Sequence, residues 1–210
     1  MSQRLLKRVA AVARHFDGRA ARYDNPVTAF VGERELRVIR PLVPAGAVVL
    51  DYGCGTGRSA LDHLRRGCHV TAFDISRNML SRAEARAQAE GWSAEAEFTA
   101  DETRLAGRTW PVVTAIGVLD YYADPAPLLK TLSQYVAPGG GLVVTYPNAL
   151  SPLAWGYALG SRFTFPALPR TPAFARQAAQ QAGLAVVCLA YAFPAGAPWG
   201  HTLVLKLGLR

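Results

Sequence analysis

The chain has 210 residues, of which 50% are hydrophobic and 18% are charged, and its formal net charge is +8. This length and composition suit one globular domain with a substantial core and exclude a disordered chain. They also exclude a membrane span of about 20 uninterrupted apolar residues, because Pro194 and Pro198 break the longest apolar run, 182–199. The basic charge leaves nucleic acid, an anionic membrane and an acidic substrate open as partners, although coding bias alone could produce it.

The cysteines and the N-terminus bear on location. Cys54, Cys68 and Cys188 are far apart and form no CxxC pair, which favours reduced thiols over a disulfide framework or a zinc site. The N-terminus is basic, but it lacks the long apolar region and the small-residue cleavage site of a secretory signal. We therefore expect a cytoplasmic location and no bound metal.

Two helices are predicted before the first strand. Residues 1–16 place apolar side chains at helical spacing with lysine and arginine between them, so the first helix is amphipathic and basic. Most such helices pack on their own domain, and the remainder contact a membrane or a partner. A second helix is predicted over 27–41. We interpret 1–44 as a helical lid and expect that the first helix also allows peripheral membrane contact.

From residue 47 onward, short β-branched runs alternate with helical patterns. The predicted strands are 47–51, 69–74, 96–100, 112–116, 142–146, 185–192 and 201–207. The predicted helices between them are 58–66, 76–90, 125–135 and 172–181. Such alternation predicts an α/β fold with a mostly parallel sheet and helices on both faces.

A glycine-rich turn follows the first predicted strand. The sequence VVLDYGCGTGR contains Gly53, Gly55 and Gly57, which let the chain turn sharply and let a ligand approach the backbone. A dinucleotide fingerprint would need its third glycine at position 58, which is Arg58, so the spacing for NAD fails. Asp51 at the strand end can face the amino group of a zwitterionic ligand and would repel a pyrophosphate.

Four further residues fit an adenosine. Asp74 ends the second predicted strand, where a carboxylate can accept hydrogen bonds from both ribose hydroxyls. Ile75 and Met79 follow as apolar cover for an adenine, and Asp101 after the third strand can accept from the adenine amino group. With Asp51, these residues describe an adenosine that carries an amino acid.

The motifs resemble those of the class I S-adenosylmethionine (SAM)-dependent methyltransferases. The likeness covers residues 45–146 closely, through the stretches VLDYGCGTG, FDISRNML, TADE, LDYYADP and APGGGLVV. The stretch FDGRAARYD at 16–24 extends it to members that methylate small molecules such as quinone precursors and tetrapyrroles. One departure is Trp110 and Pro111, which stand where the family often carries an acidic residue before its fourth strand.

The resemblance implies a Rossmann-like sheet of seven strands with an antiparallel last strand, SAM as cofactor and S-adenosylhomocysteine (SAH) as product. It implies that Asp51 and the glycine loop bind the methionine part, Asp74 the ribose, and Asp101 with Glu102 the adenine. Tyr23 is a candidate for the lid over the cofactor. The complete set of predicted cofactor residues is Tyr23, Asp51, Gly53, Gly55, Gly57, Asp74, Ile75, Met79, Asp101, Glu102 and Gly117.

The predicted acceptor site follows the fourth strand. Methyl transfer requires chiefly that two reactants be held in line and that water be excluded, and a base helps when the acceptor is a hydroxyl or an acidic carbon. We rank Tyr121 or Tyr122 first as the catalytic group, then His201, then Asp120. The alternative is that the tyrosines only pack against the substrate and that the histidine is structural.

Residues 147–168 interrupt the alternation with an aromatic and proline-rich segment that includes Trp155, Tyr157, Phe163 and Phe165. The segment follows the fifth strand, so we predict an insertion over the acceptor site; a satellite core beneath a long loop is the alternative. Its aromatic residues favour an apolar or lipid-like acceptor.

Three alternatives come from other functional classes. An RNA methyltransferase would use the basic ends of the chain, but neither an RNA-binding module nor a dense basic cluster is recognisable, and the Asn-Pro-Pro-Tyr signature of amino-group methylation is absent. An NAD oxidoreductase is disfavoured by the glycine spacing. A non-catalytic SAM-binding protein would keep the glycine loop and block the acceptor pocket. We expect an enzyme that methylates oxygen or carbon of a small molecule.

Overall fold

A computed structural model describes residues 3–161 and 167–209, with side chains from 11–160 and 167–209. The helices are α1 (Gln3–Tyr23), α2 (Pro26–Ile39), α3 (Arg58–Arg65), α4 (Arg77–Ala89), α5 (Ala126–Ser133), α6 (Pro152–Ser161) and α7 (Pro172–Gln181). The strands are β1 (Val48–Tyr52), β2 (His69–Phe73), β3 (Ala96–Thr99), β4 (Trp110–Ala115), β5 (Val136–Pro147), β6 (Leu184–Ala192) and β7 (Thr202–Leu209).

The seven strands form a sheet in the order β3-β2-β1-β4-β5-β7-β6. The pairs among β1 to β5 are parallel, whereas β7 runs antiparallel to both β5 and β6. The predicted α/β fold, with a mostly parallel sheet and an antiparallel last strand, is therefore confirmed.

Helices bury both faces of this sheet. On one face, Leu129 of α5 and Ala178 of α7 pack into a core with the inner strands. On the other face, Ile39 of α2, Leu61 of α3 and Ala83 of α4 form a second core. Burial on both faces explains why the strand sequences are nearly continuous apolar runs instead of alternating patterns.

Helix α1 extends seven residues beyond the predicted end at residue 16. Val12 and Ala20, which are both buried, continue one face of the helix past that point. The Asp17 carboxylate accepts hydrogen bonds from the Ser76 hydroxyl at 2.6 Å and from the Asn78 backbone at 3.1 Å, which fixes α1 against the start of α4. The helix is thereby held across the carboxyl ends of the strands.

Strand β4 begins two residues earlier than predicted, at Trp110. The Trp110 indole donates a hydrogen bond to the Thr71 hydroxyl at 3.3 Å, and its backbone is paired with Val136. The register then shifts between Trp110 and Val112, at Pro111, which has no backbone N–H to give to a ladder. The departure from the family pattern thus alters the entry to β4 and not its carboxyl end.

The segment 147–168 contains a helix, α6, that the sequence did not predict. Helix α6 carries no charged residue, and its side chains Leu153, Trp155 and Leu159 are 52%, 56% and 59% exposed. Phe163 and Phe165, which the sequence placed in this insertion, lie outside the described residues. Among the helices of the described ranges, none combines the length and the hydropathy needed to cross a membrane.

Candidate active site

A cavity opens at the carboxyl ends of β1, β2 and β4, where open α/β sheets bind their ligands. It encloses about 790 Å³ of empty space, part of which is continuous with solvent. Its walls come from the segments that follow these strands, from the turn after β3 and from α1. The lining residues are Val12, Phe16, Tyr23, Tyr52, Gly53, Gly55, Phe73, Asp74, Ile75, Met79, Glu102, Ile116, Gly117, Val118, Tyr121 and Tyr122.

Two glycines of the loop after β1 are required for steric reasons. Gly53 has φ +75°, and a Cβ atom there would lie 2.4 Å from Cγ2 of Val118. Gly57 has φ +88°, and its Cβ would lie 2.9 Å from Cβ of Ala83 in α4. Gly53 therefore keeps the cavity wall open, whereas Gly57 lies behind the wall and lets α3 start close to α4.

Asp74 organises this loop from the end of β2. Its carboxylate accepts hydrogen bonds from the backbone N–H groups of Gly55 and Ser76, each at 2.8 Å. Burial raises the pKa of the Asp74 carboxyl to about 6, and the two hydrogen bonds oppose that rise. The group is mainly ionised at neutral pH, and its remaining lone pairs can accept hydrogen bonds from the hydroxyls of a ligand.

Asp51, by contrast, does not line the cavity. Its side chain is fully buried and accepts hydrogen bonds from the Ser59 hydroxyl at 2.6 Å and the Thr114 hydroxyl at 2.8 Å. These bonds tie the end of β1 to α3 and to β4. Asp51 therefore supports the glycine loop through these contacts and does not face the cavity.

The two acidic residues after β3 point in different directions. Asp101 is exposed outside the cavity wall and accepts hydrogen bonds from the hydroxyl and the backbone of Thr103, which lower the pKa of its carboxyl. Glu102 lines the cavity and accepts a hydrogen bond from the Tyr52 hydroxyl at 2.9 Å. Burial raises the pKa of Tyr52, so this hydroxyl stays a donor. Glu102 is thus the carboxylate that faces the cavity at this edge.

Aromatic side chains form the opposite half of the wall, between α1 and the turn after β4. The Phe16 ring meets the Tyr121 ring edge-on at a centroid distance of 5.5 Å, and it meets the Tyr23 ring at 6.2 Å. Tyr122 completes this half, and Gly117 precedes it with its N–H bound to the Thr145 hydroxyl at 2.8 Å. Burial raises the pKa of Tyr23 to about 12 and that of Tyr121 further, so both are neutral phenols at physiological pH.

The other two base candidates lie behind this wall. Asp120 is buried, and burial together with the nearby Glu35 carboxylate raises the pKa of its carboxyl to about 8. His201 is half-buried, and its ring lies 6.1 Å from that of Tyr157 in α6. The Tyr157 hydroxyl lies 3.3 Å from the Tyr121 hydroxyl, which connects His201 to the cavity wall through one side chain.

Comparison with known proteins decides the family. A family model described as a methyltransferase domain matches residues 23–189. The chain belongs to this methyltransferase family. The resemblance drawn from the glycine loop and the motifs after it is thereby confirmed.

Two curated relatives match parts of the methyltransferase. A ubiquinone biosynthesis O-methyltransferase of Aeromonas salmonicida (strain A449) is 29% identical over 154 residues, which cover 67% of this chain and 64% of the relative. A tRNA 5-carboxymethoxyuridine methyltransferase of Escherichia coli (strain K12) is 34% identical over 117 residues, 54% of this chain and 45% of the relative. The chain thus spans about half to two thirds of the length of these relatives.

A solved structure shares the fold over nearly the whole methyltransferase. The magnesium protoporphyrin IX methyltransferase of Synechocystis PCC 6803, crystallised with bound SAM, superposes with a TM-score of 0.71 at 17% identity and covers 96% of this chain and 97% of that one. At this identity the likeness concerns the fold alone.

Sequence reasoning missed six residues of the wall: Val12, Phe16, Tyr52, Phe73, Ile116 and Val118. Tyr52 and Phe73 directly precede Gly53 and Asp74, which the sequence had assigned to the cofactor site. Their position at the ends of these strands was therefore a signal that could have identified them. Val12 carried no signal, because its role depends on how α1 crosses the sheet. In the ranges 11–160 and 167–209, no three His, Cys, Asp or Glu side chains are grouped so that they could hold a metal ion.

Proposed function

We propose that this methyltransferase transfers the methyl group of SAM to oxygen or carbon of a small apolar or lipid-like acceptor and releases SAH. The observation that supports the donor most directly is the loop geometry. Asp74 presents an ionised carboxylate to the cavity. At Gly53, which faces Val118, the cavity wall has no side chain. A ribose with two hydroxyls matches that acceptor, and the absence of a Cβ leaves room for the rest of the cofactor.

In this proposal each cofactor residue of the wall has one role. Asp74 accepts from the ribose hydroxyls, and Ile75 and Met79 cover the adenine. Glu102 supplies the carboxylate on the adenine side, a role that the sequence divided between Asp101 and Glu102. Asp51 and Gly57 act indirectly, since both lie beneath the loop.

The aromatic half of the wall supports an apolar acceptor. Its side chains offer ring faces and edges with neutral hydroxyls and no charge. SAM supplies an activated methyl group on a positively charged sulfur. The chain holds the acceptor in line with that group, and α1, as the lid, together with α6 excludes water.

The first experiment is calorimetric titration of the protein with SAM and SAH. We expect binding by the parent chain and a loss of about tenfold or more in Asp74→Ala, because hydrogen bonds to a charged group contribute about 1.5–3 kcal/mol. Glu102→Gln and Asp101→Asn form a matched pair, of which only the first is expected to weaken binding. Absence of binding by a folded parent chain would overturn the proposal.

The acceptor is then sought among apolar hydroxylated aromatics such as alkylated catechols, naphthols and hydroxyquinones, with SAH release as the readout. We expect turnover for apolar members and little for charged benzoates. Tight SAM binding without turnover of any member would favour a non-catalytic SAM-binding protein.

We also propose peripheral contact with an anionic lipid surface beside the cavity. The apolar side chains Leu153, Trp155 and Leu159 of α6 are exposed, and residues 125–210 carry six basic residues and no carboxylate. The first helix, α1, is basic by sequence. In sedimentation with vesicles, we expect binding to mixed phosphatidylglycerol and phosphatidylcholine that is lost in Trp155→Ser. Val187→Ser, exposed on the edge strand β6, is the control; equal binding by all three proteins would contradict the contact.

An RNA acceptor is the second candidate, favoured by one observation, the tRNA methyltransferase among the relatives. It predicts salt-dependent binding of tRNA by the basic surface. Methyl transfer to tRNA and none to the aromatic panel would replace the small-molecule acceptor.

A cytoplasmic location is also part of the proposal. It is supported by Cys54, Cys68 and Cys188, which are free cysteines.

A further inference from the structure

A hydrogen-bonded chain runs from α2 to His201, behind the aromatic wall. The Thr202 hydroxyl donates to Oε1 of Glu35 at 2.6 Å, and Nδ1 of His201 lies 2.9 Å from the same hydroxyl oxygen. Oε2 of Glu35 accepts from the Arg58 guanidinium at 2.9 Å. Glu35 and Thr202 are buried, at 9% and 3% exposure, so the chain is shielded from water.

The donors and acceptors of this chain can be assigned from chemistry. Glu35 is paired with Arg58, so it is a carboxylate and can only accept hydrogen bonds. Thr202 has one hydroxyl hydrogen, which it gives to Glu35, so it offers His201 a lone pair. Nδ1 of neutral His201 must therefore carry the proton, and Nε2 carries a free lone pair.

His201 lies next to the aromatic side chain of Tyr157 in α6, behind the cavity wall. Nε2 of His201 has no hydrogen-bond partner among the described side chains. The ring packs against Tyr157, whose hydroxyl reaches Tyr121 in the cavity wall. His201 does not line the cavity, so an acceptor hydroxyl reaches Nε2 only if it enters between Tyr121 and Tyr157.

We propose that Glu35 and Thr202 are positioning residues that hold His201 in the Nδ1–H form, so that Nε2 takes the proton of an acceptor hydroxyl during methyl transfer. This inference rests on the proposed function. As the oxygen forms its bond to the methyl carbon, the carbon–sulfur bond breaks and its electron pair stays on sulfur. The O–H electron pair stays on the acceptor oxygen, and the proton moves to Nε2.

The charges around His201 suit a base. Glu35 faces it from α2 through Thr202, Arg58 of α3 lies behind Glu35, and neutral Tyr157 faces it from α6. Burial lowers the pKa of His201, and the Glu35 carboxylate opposes that effect. The imidazole is therefore neutral before transfer, and Glu35 stabilises the imidazolium that forms.

The tautomer is tested without any turnover, by long-range ¹H–¹⁵N correlation spectra of ¹⁵N-histidine-labelled protein. We expect the Nδ1–H form for His201 in the parent chain and in Thr202→Ser, which keeps the hydroxyl. Thr202→Val, of nearly the same volume, is expected to lose that preference. Exposed His69 is the internal reference. An Nε2–H form in the parent chain, or an unchanged tautomer in Thr202→Val, would overturn the inference.

The charge effect is tested with Glu35→Gln. We expect the pKa of His201, measured by the same spectra, to fall by roughly one unit, since a nearby negative charge favours the imidazolium. In turnover of 2-naphthol, the acid limb of the kcat/KM profile should move to lower pH in parallel, and an unmoved limb would refute the base. If SAM does not bind while the tautomer is as expected, the proposed function fails and the positioning stands.

Discussion

Asp120 is a buried carboxyl whose protonation should couple the stability of the fold to pH. It is 9% exposed, and its Oδ1 atom has no hydrogen-bond partner among the described residues. Burial raises the pKa of this carboxyl to about 8, whereas an unfolded chain has the ordinary value near 4. The stability that the protonated group contributes is complete below the unfolded pKa and is lost as the pH rises through the folded one. Asp120→Asn removes this titration.

The magnitude follows from proton linkage. Between about pH 5 and about pH 7, folded Asp120 holds one proton that the unfolded chain does not, so the free energy of unfolding falls by about 1.4 kcal/mol per pH unit. Over two units the parent chain should lose about 3 kcal/mol relative to Asp120→Asn. For a chain of this length that corresponds to roughly 6–12 °C in Tm.

The assay is thermal or urea unfolding of both proteins at the two pH values. The other titrating groups are common to both proteins. Only the change with pH in the stability difference between the two proteins is therefore attributed to Asp120. The stability of Asp120→Asn should increase relative to that of the parent chain as the pH rises. If the two proteins lose stability in parallel, Asp120 is ionised in the folded state and the argument from its burial is refuted.

Three further predictions concern the frame of the site. Gly57→Ala should destabilise the fold by about 2–4 kcal/mol in urea unfolding, because left-handed strain adds to overpacking against α4. The control Gly46→Ala, at φ +74° with no neighbour within 4 Å, should show only the smaller backbone cost. Equal losses of stability in the two variants would contradict the contact with α4. Burial lowers the pKa of His63, whose two ring nitrogens have no hydrogen-bond partner among the described residues. The fold should therefore lose stability as the pH falls below about 6.5. Unfolding of His63→Leu should depend less on pH in that range, and an unchanged dependence would argue against a neutral buried ring. Trp110→Phe should cost about 1 kcal/mol in thermal unfolding through the lost bond to the Thr71 hydroxyl. An equal cost of Trp110→Phe in the Thr71→Val background, where the acceptor hydroxyl is absent, would contradict that bond.

Local spacing was sufficient for the main elements. The glycines after the first strand predicted a sharp turn, and Gly53 and Gly57 adopt positive φ there. Each strand overlaps its predicted range, because short β-branched runs bounded by turn residues can be identified locally. Strand β5 begins six residues earlier than predicted, at Val136. Helix α6 was missed because its sequence is apolar on all sides, so it has no amphipathic period to detect.

The sequence by itself determined the α/β class, the family and the glycine loop that lines the cavity. The tertiary structure alone decided which of two adjacent carboxylates, Asp101 or Glu102, faces the cavity, because that depends on the rotation of one short turn. It alone brought Glu35 to Thr202, across 167 positions of the chain. Contacts of that separation follow from how α2 and β7 pack on the same sheet face, and no local pattern records them.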